Sequence, residues 1–221
     1  EVIAVPRNLA VPVPAGLDFE AASFSTLGAI AMQGLRRSNC QFGETCVILG
    51  LGLLGLLAVQ IGRAAGYRII GLDIDDTRVA LAKELGADAA FNSSKVETRA
   101  GVLELTQGLG ADAVVVYAAS PSSDPVNLAF DLCRQKGRVV GVGAFGMVLD
   151  RDRMYRKELD FRMSTSYGPG RYDPHYEEDG VDYPVGYVRW TENRNMQAFL
   201  RLLKTAQVSV ELLVNGRYPI E

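Results

Sequence analysis

The chain has 221 residues, of which 22% are charged and 48% hydrophobic, with a formal net charge of −3 and a pI near 5.4. That length suits one large domain, or one domain with part of a second. No basic block of useful length favours nucleic acid or an anionic membrane, and Gly62, Arg63 and Gly66 cut the apolar run that starts at Val47 short of a membrane span.

Residues 1–20 read as extended, with Pro14 and Gly16 making a turn. Residues 21–37 suit a helix that ends in Arg36 and Arg37, where cations favour the carbonyl end. Val47 to Leu49 is a buried strand, and Leu53 to Ala65 a helix stopped by Gly66. "YRIIGLD" is the next strand, with Asp75 or Asp76 capping a helix through Leu85. "ADAAF" is a short strand, and residues 95–107 a helix. "ADAVVVYAA" is a strand, after which Ser123 caps a helix from Val126 to Gln135 that contains Cys133. "GRVVGVG" and "LDFRMSTS" complete six strands. This alternation predicts an α/β fold, a doubly wound Rossmann parallel sheet of about six strands with helices on both faces.

Residues 167–190 hold five tyrosines, several acids, prolines and glycines, and read as an ordered loop. Residues 194–205 form a helix whose apolar face is Met196, Phe199, Leu200 and Leu203. "SVELLVNGRYPIE" reads as a final strand, and both ends look like the margins of something longer. The expected division is residues 1–22 as the tail of a truncated domain, 23–166 as the Rossmann domain, 167–193 as the loop, and 194–221 as a helix and return strand. No signal-peptide pattern appears, and Cys40, Cys46 and Cys133 lie in no paired framework, so a reducing, cytoplasmic setting is expected.

The chemistry concentrates in "CVILGLGLLGLLAVQIGRAAG". Gly50, Gly52 and Gly55 stand between a strand and a helix, and Asp73 closes the following strand 23 residues after Gly50. Gly50 permits a tight turn, Gly52 lets a pyrophosphate approach the backbone, and Gly55 lets the helix approach the sheet. The helix N-terminus offers free N–H groups to phosphate. A carboxylate at Asp73 would accept both hydroxyls of an adenosine ribose and repel a 2′-phosphate, which favours NAD over NADP unless Arg78 lies near the ribose. The competing readings are a glycine-rich junction that binds nothing, or a crevice for FAD or S-adenosylmethionine. The expected coenzyme residues are Gly50, Leu51, Gly52, Leu53, Leu54, Gly55, Asp73, Ile74, Arg78, Ala118, Gly141 and Gly143. Loops around 117–120, 141–144 and 164–166 should flank the nicotinamide.

With these residues in hand, the chain resembles the medium-chain dehydrogenase/reductase superfamily, the zinc-type alcohol dehydrogenase relatives. The stretch from "GETCVILGLGLLG" through "AKELGADAAFN" carries the likeness, which runs from about residue 8 to 221. Within that superfamily the segment "KELDFRMSTSYGPGRYDPHYEEDGVDYPVGYVRWTENRNMQAFLRLL" is similar to bacterial bi-domain oxidoreductases, which join such a dehydrogenase to a second NAD-dependent domain. The resemblance implies hydride transfer on a sugar, polyol or nucleotide sugar, or else a non-catalytic NAD-binding module attached to a separate catalytic domain. It implies a discontinuous catalytic domain mostly outside these residues, so that the piece alone should be inactive, and a homodimer through the sheet edge.

Zinc-dependent relatives draw a ligand from the segment that here reads "EAASFSTLGAIAMQG", where Ser25 or Thr26 stands at the matching place and Glu20 is displaced. Neither hydroxyl is a good zinc ligand, and Cys40 and Cys46 have no histidine or further thiols close by, so no zinc is expected. Cys46 is expected in the core. His175, the only histidine, and Tyr167 are candidate acid/base groups, with a solvated loop position the plainer role for His175. Tyr167, Arg171 and Tyr172 are candidate contacts to a sugar or to a missing domain, and Trp190 an anchor for the loop.

Overall fold

A computed structural model describes residues 2–95 and 97–219. The elements in chain order are α1 (Phe19–Ala22), α2 (Ser25–Ser38), β1 (Thr45–Leu49), α3 (Leu53–Ala64), β2 (Arg68–Asp73), α4 (Asp76–Glu84), β3 (Ala89–Asn92), α5 (Thr98–Leu105), β4 (Ala111–Val116), α6 (Asp124–Leu132), β5 (Cys133–Gly141), α7 (Arg151–Lys157), β6 (Asp160–Met163), α8 (Pro174–Glu177) and α9 (Glu192–Lys204). The strands form one parallel sheet in the order β3-β2-β1-β4-β5-β6, which reverses direction between β1 and β4.

The strands are apolar on both sides because each face carries helices. Cys46, Ile48, Ile69, Ala113, Val115 and Val140 point to the face covered by α2, α3 and α9. Their neighbours Val47, Leu49, Ile70, Leu72, Val114 and Val139 point to the other, against Val102 of α5 and Val126, Ala129 and Phe130 of α6. This period-two alternation fixes the register, since a slip of one residue would exchange the two faces. Asp75 accepts from the N–H groups of Thr77 and Arg78 and so caps α4. Helix α9 lays Phe199, Leu200 and Leu203 against α2 as part of the same core.

Several elements differ from the sequence reading. Helix α6 stops at Leu132, and Cys133 begins β5 instead of lying in a helix. The Lys157 ammonium explains the break: it donates to the carbonyls of Phe130, Asp131 and Cys133, drawing the final carbonyls out of the helix. Ser123 does not cap α6 with its side chain, because its hydroxyl accepts from the Val148 N–H. The expected strand after residue 208 is a 3₁₀ turn, Glu211–Leu213, followed by unpaired backbone among the described residues. That stretch lacks a neighbouring strand to complete its hydrogen bonds; Ile220 and Glu221 lie outside the described residues, as does Val96 in the expected helix 95–107. The 167–190 stretch contains the short helix α8.

Candidate functional site

The glycine turn leaves β1 at the point where the sheet order reverses, the place where open α/β sheets take ligands. Gly50 has φ +94°, and a Cβ there would lie 2.5 Å from the Ala118 backbone nitrogen at the end of β4. A Cβ on Gly55 would overlap the Gly50 carbonyl oxygen. Packing within the protein therefore accounts for both. Gly52 is different: its φ of −68° is open to any residue, and a Cβ there meets nothing within 4 Å. No protein atom requires glycine at that position.

Gly52 is also the N-cap of α3 and supplies no side-chain acceptor, so the first-turn N–H groups of the helix face outward without a protein cap. An uncapped N-terminus beside an empty Cβ position is what a pyrophosphate requires. The residues fit the coenzyme on this ground. Gly52 and the N–H groups of Leu53, Leu54 and Gly55 would cradle its phosphates.

Asp73 is 7% exposed and does more than close β2. Its Oδ2 accepts from Leu51 N at 2.6 Å, and its Oδ1 from Ile74 N at 2.8 Å and Asp75 N at 3.0 Å. The carboxylate thus ties the glycine turn to the second strand. Arg78 Nη1 stands 3.7 Å from Asp73 Oδ2 with about half its side chain exposed, which places a cation beside the expected ribose position. Ile74 is exposed there, whereas the Leu51 side chain is buried against Gly71.

The loops after β4, β5 and β6 lie side by side: Ser120 pairs with Phe145, and Ser164 N donates to Gly141 O. Packing supplies a reason for both later glycines. A Cβ on Gly143 would overlap the Ala118 carbonyl oxygen, and one on Gly141 would lie 2.8 Å from the Phe145 ring. The Tyr117 hydroxyl donates to the Ala31 carbonyl, pinning α2 to the sheet, and burial pushes its pKa up.

His175 is exposed, with Nδ1 2.6 Å from Asp179 Oδ2, and no hydrogen bond joins it or Tyr167 to the glycine turn or Asp73. Tyr167 belongs to a different cluster. Glu192, fully buried at the start of α9, faces Tyr167, Arg171 and Glu177, with the Tyr167 hydroxyl beside its carboxylate. Burial raises its pKa to about 7. Arg171 is ion-paired to Glu177 at 2.5 Å and lies over the Tyr167 and Tyr172 rings. Sequence reasoning missed Glu192, because "TENRN" reads as a polar helix start; Trp190 was singled out only as an anchor, and it carries Arg36 and Arg189 over its ring.

Zinc finds no donor set in the described residues, where no three His, Cys, Asp or Glu side chains converge. Thr26 spends its hydroxyl on Met196 sulfur. Cys40 and Cys46 are buried together, and the hydrogen bond between them and burial push the Cys46 thiol well up, away from the thiolate zinc needs.

The family model described as zinc-binding dehydrogenase matches residues 54–178. A sorbitol dehydrogenase from Halalkalibacterium halodurans is 32% identical over 167 residues, covering 73% of this chain and 48% of that protein. A D-arabitol-phosphate dehydrogenase from Enterococcus avium is 28% identical over 214 residues, covering 94% and 53%. The galactitol-1-phosphate dehydrogenase structure from Escherichia coli superposes with a TM-score of 0.76 at 22% identity, over 94% of this chain and 56% of that one, a likeness of fold. The chain spans about half the length of the curated relatives it matches. It carries an NAD-binding Rossmann fold and belongs to the zinc-binding dehydrogenase family.

Proposed function

We propose that this chain is the NAD(H)-binding part of an oxidoreductase that moves a hydride to or from the alcohol or carbonyl carbon of a sugar, polyol or nucleotide sugar. Gly52 carries the reading: it is the one glycine of the turn that internal packing does not demand, and it opens directly onto the uncapped start of α3. The bound dinucleotide supplies the hydride chemistry. The chain's own residues hold the phosphates at Gly52–Gly55, take the ribose near Asp73, and flank the ring with the loops at Ala118, Gly141 and Gly143. The names of the sorbitol and arabitol-phosphate relatives support a polyol-type substrate.

NAD is the preferred dinucleotide because the buried Asp73 carboxylate opposes a 2′-phosphate, although Arg78 beside it softens that preference. The substrate base, the remaining catalytic segments and a second NAD-dependent domain belong to the longer protein in this reading. Within the chain, Tyr167 and His175 remain its two acid/base candidates. A homodimer through the outer edge of β6, and a reducing cytoplasmic setting matched to three free buried thiols, complete the proposal. A non-catalytic NAD-binding module is the second reading, favoured by Ser25 and Thr26 where zinc-dependent relatives place a metal ligand.

The test is calorimetric titration with NAD and NADP of the native chain and of Gly52→Val. Native binding that falls at least about tenfold in the variant, with an unchanged melting temperature, is expected. Equal binding by both proteins would remove the phosphate cradle. Hydride transfer by the longer protein that is lost with Gly52→Val separates the catalytic reading from the non-catalytic one.

A further inference from the structure

A groove of about 900 Å³ lies away from the glycine turn. Its floor is the last turn of α3, at Ile61 and Ala64, with Tyr67, the residue before β2. Helix α3 has 12 residues and is therefore about 18 Å long, and the glycine turn sits at its opposite end. The walls come from the end of α2, the length of α9 and the loop at Arg189 and Trp190.

The lining holds four arginines, Arg36, Arg189, Arg194 and Arg201, and one carboxylate, Asp182, which is already paired with Arg194. Among the described residues the other three have no carboxylate partner. Arg36 donates to Asn195 Oδ1 at 2.8 Å and lies 3.5 Å over the Trp190 ring; Arg189 lies 4.0 Å over the same ring. The Arg201 guanidinium makes no hydrogen bond or ion pair among the described residues. Two like charges held against one indole repel each other, and burial, helped by Arg189, pulls Arg36 down to about 10. Elsewhere the chain pairs its half-buried arginines with acids, as in Arg134–Asp112 and Arg138–Glu44. The groove instead keeps an excess of forked donors in a concavity of small-molecule size.

We propose that this groove binds a small phosphorylated molecule carrying at least two negative charges, held by Arg36, Arg189 and Arg201. An anion between them relieves their mutual repulsion and satisfies guanidinium donors that the protein leaves open. Gln207 and the Gln197 carbonyl oxygen on the same walls offer hydrogen bonds to the rest of such a ligand, while Asn193 is held by the carbonyls of Asn8 and Ala10 and by Gln197. The site is independent of the coenzyme turn, so it binds with or without NAD.

Trp190 is the only tryptophan, so its emission reports on this groove alone. The chain is titrated with sodium pyrophosphate at constant ionic strength, followed by Trp190 emission and by calorimetry, with citrate as the carboxylate probe. The expected result is a saturable pyrophosphate transition with a midpoint below about 1 mM, shifted upward at least about tenfold in Arg201→Gln and unmoved in Gly52→Val. Among the described residues Arg36 and Arg189, not Arg201, are the guanidiniums stacked on the indole, so Arg201→Gln keeps the reporter's stacked partners. No pyrophosphate transition in a cooperatively melting chain, or only heat that Gly52→Val abolishes and that Trp190 emission does not follow, would overturn the proposal. So would a transition that Arg201→Gln leaves in place, or saturation by citrate alone.

Discussion

At the scale of single residues, Asp73 has two duties that one substitution cannot separate. Its carboxylate holds the N–H groups of Leu51, Ile74 and Asp75, and it faces the expected ribose position. Asp73→Ala should therefore lower stability by about 1–3 kcal/mol as well as weaken NAD, whereas Asp73→Asn, which keeps an acceptor oxygen, should lose less stability. Urea unfolding of both variants beside an NAD titration checks this. Glu192 gives a pH signature. Its folded pKa of about 7 exceeds the ordinary glutamate value of 4.5, so the folded state holds a proton that the unfolded state has released between those limits. Glu192's contribution is thus most favourable below pH 4.5, falls as pH rises toward 7, and is flat above. Glu177 and Arg171 face the same carboxylate, and Tyr167 stands beside it. Glu192→Gln should melt higher than the native chain above pH 7, by about 2–4 °C for each kcal/mol regained, and the two curves should converge near pH 4.5. A constant offset at every pH would sink the assignment.

Among the elements, the junction of α2 with α9 ties the segment after the long loop to the Rossmann body. Phe199 is fully buried, and its ring occupies the space a Cβ on Gly28 would need. Phe199→Ala should cost about 3–5 kcal/mol, read from the shift of a denaturant midpoint with the slope unchanged. Elements of this kind were legible because α9 repeats its apolar residues at helical spacing and β1, β2 and β4 each carry a continuous apolar run, Cys46–Leu49, Ile69–Leu72 and Ala113–Val116. The end of α6 was not, since Lys157 breaks it from 24 or more residues away in the chain. The segment after residue 208 has strand composition without a partner strand, and composition does not reveal a missing neighbour. In the site, the glycine order and Asp73 could be read directly, but which glycine lacks a packing reason could not. That distinction depends on Ala118 and on the Gly50 carbonyl, atoms that only the fold brings near. The arginine groove was equally hidden, because Arg36 lies more than 150 residues before Arg189.

For the whole molecule, the sheet ends at β3 on one side and β6 on the other. Edge strands invite pairing, and Met163 at the end of β6 is about half exposed. The proposed homodimer predicts a solution mass near twice 23.9 kDa by light scattering, independent of NAD. A mass of one chain at high micromolar concentration would rule it out. Among the described residues no helix is long and apolar enough to cross a membrane.

The lashing of the glycine turn by Asp73 has an energetic consequence. A loop that must freeze around its ligand loses conformational entropy at the moment of binding, which subtracts from affinity. Here the Leu51 N–H is already bonded and Gly50 already seated on Ala118 before any dinucleotide arrives. The ordering cost belongs to folding. Amide exchange at Gly50 and Leu51 should then be nearly as slow without NAD as with it, whereas the open N–H groups of Leu53, Leu54 and Gly55 should slow only once the coenzyme seats on a turn already in place.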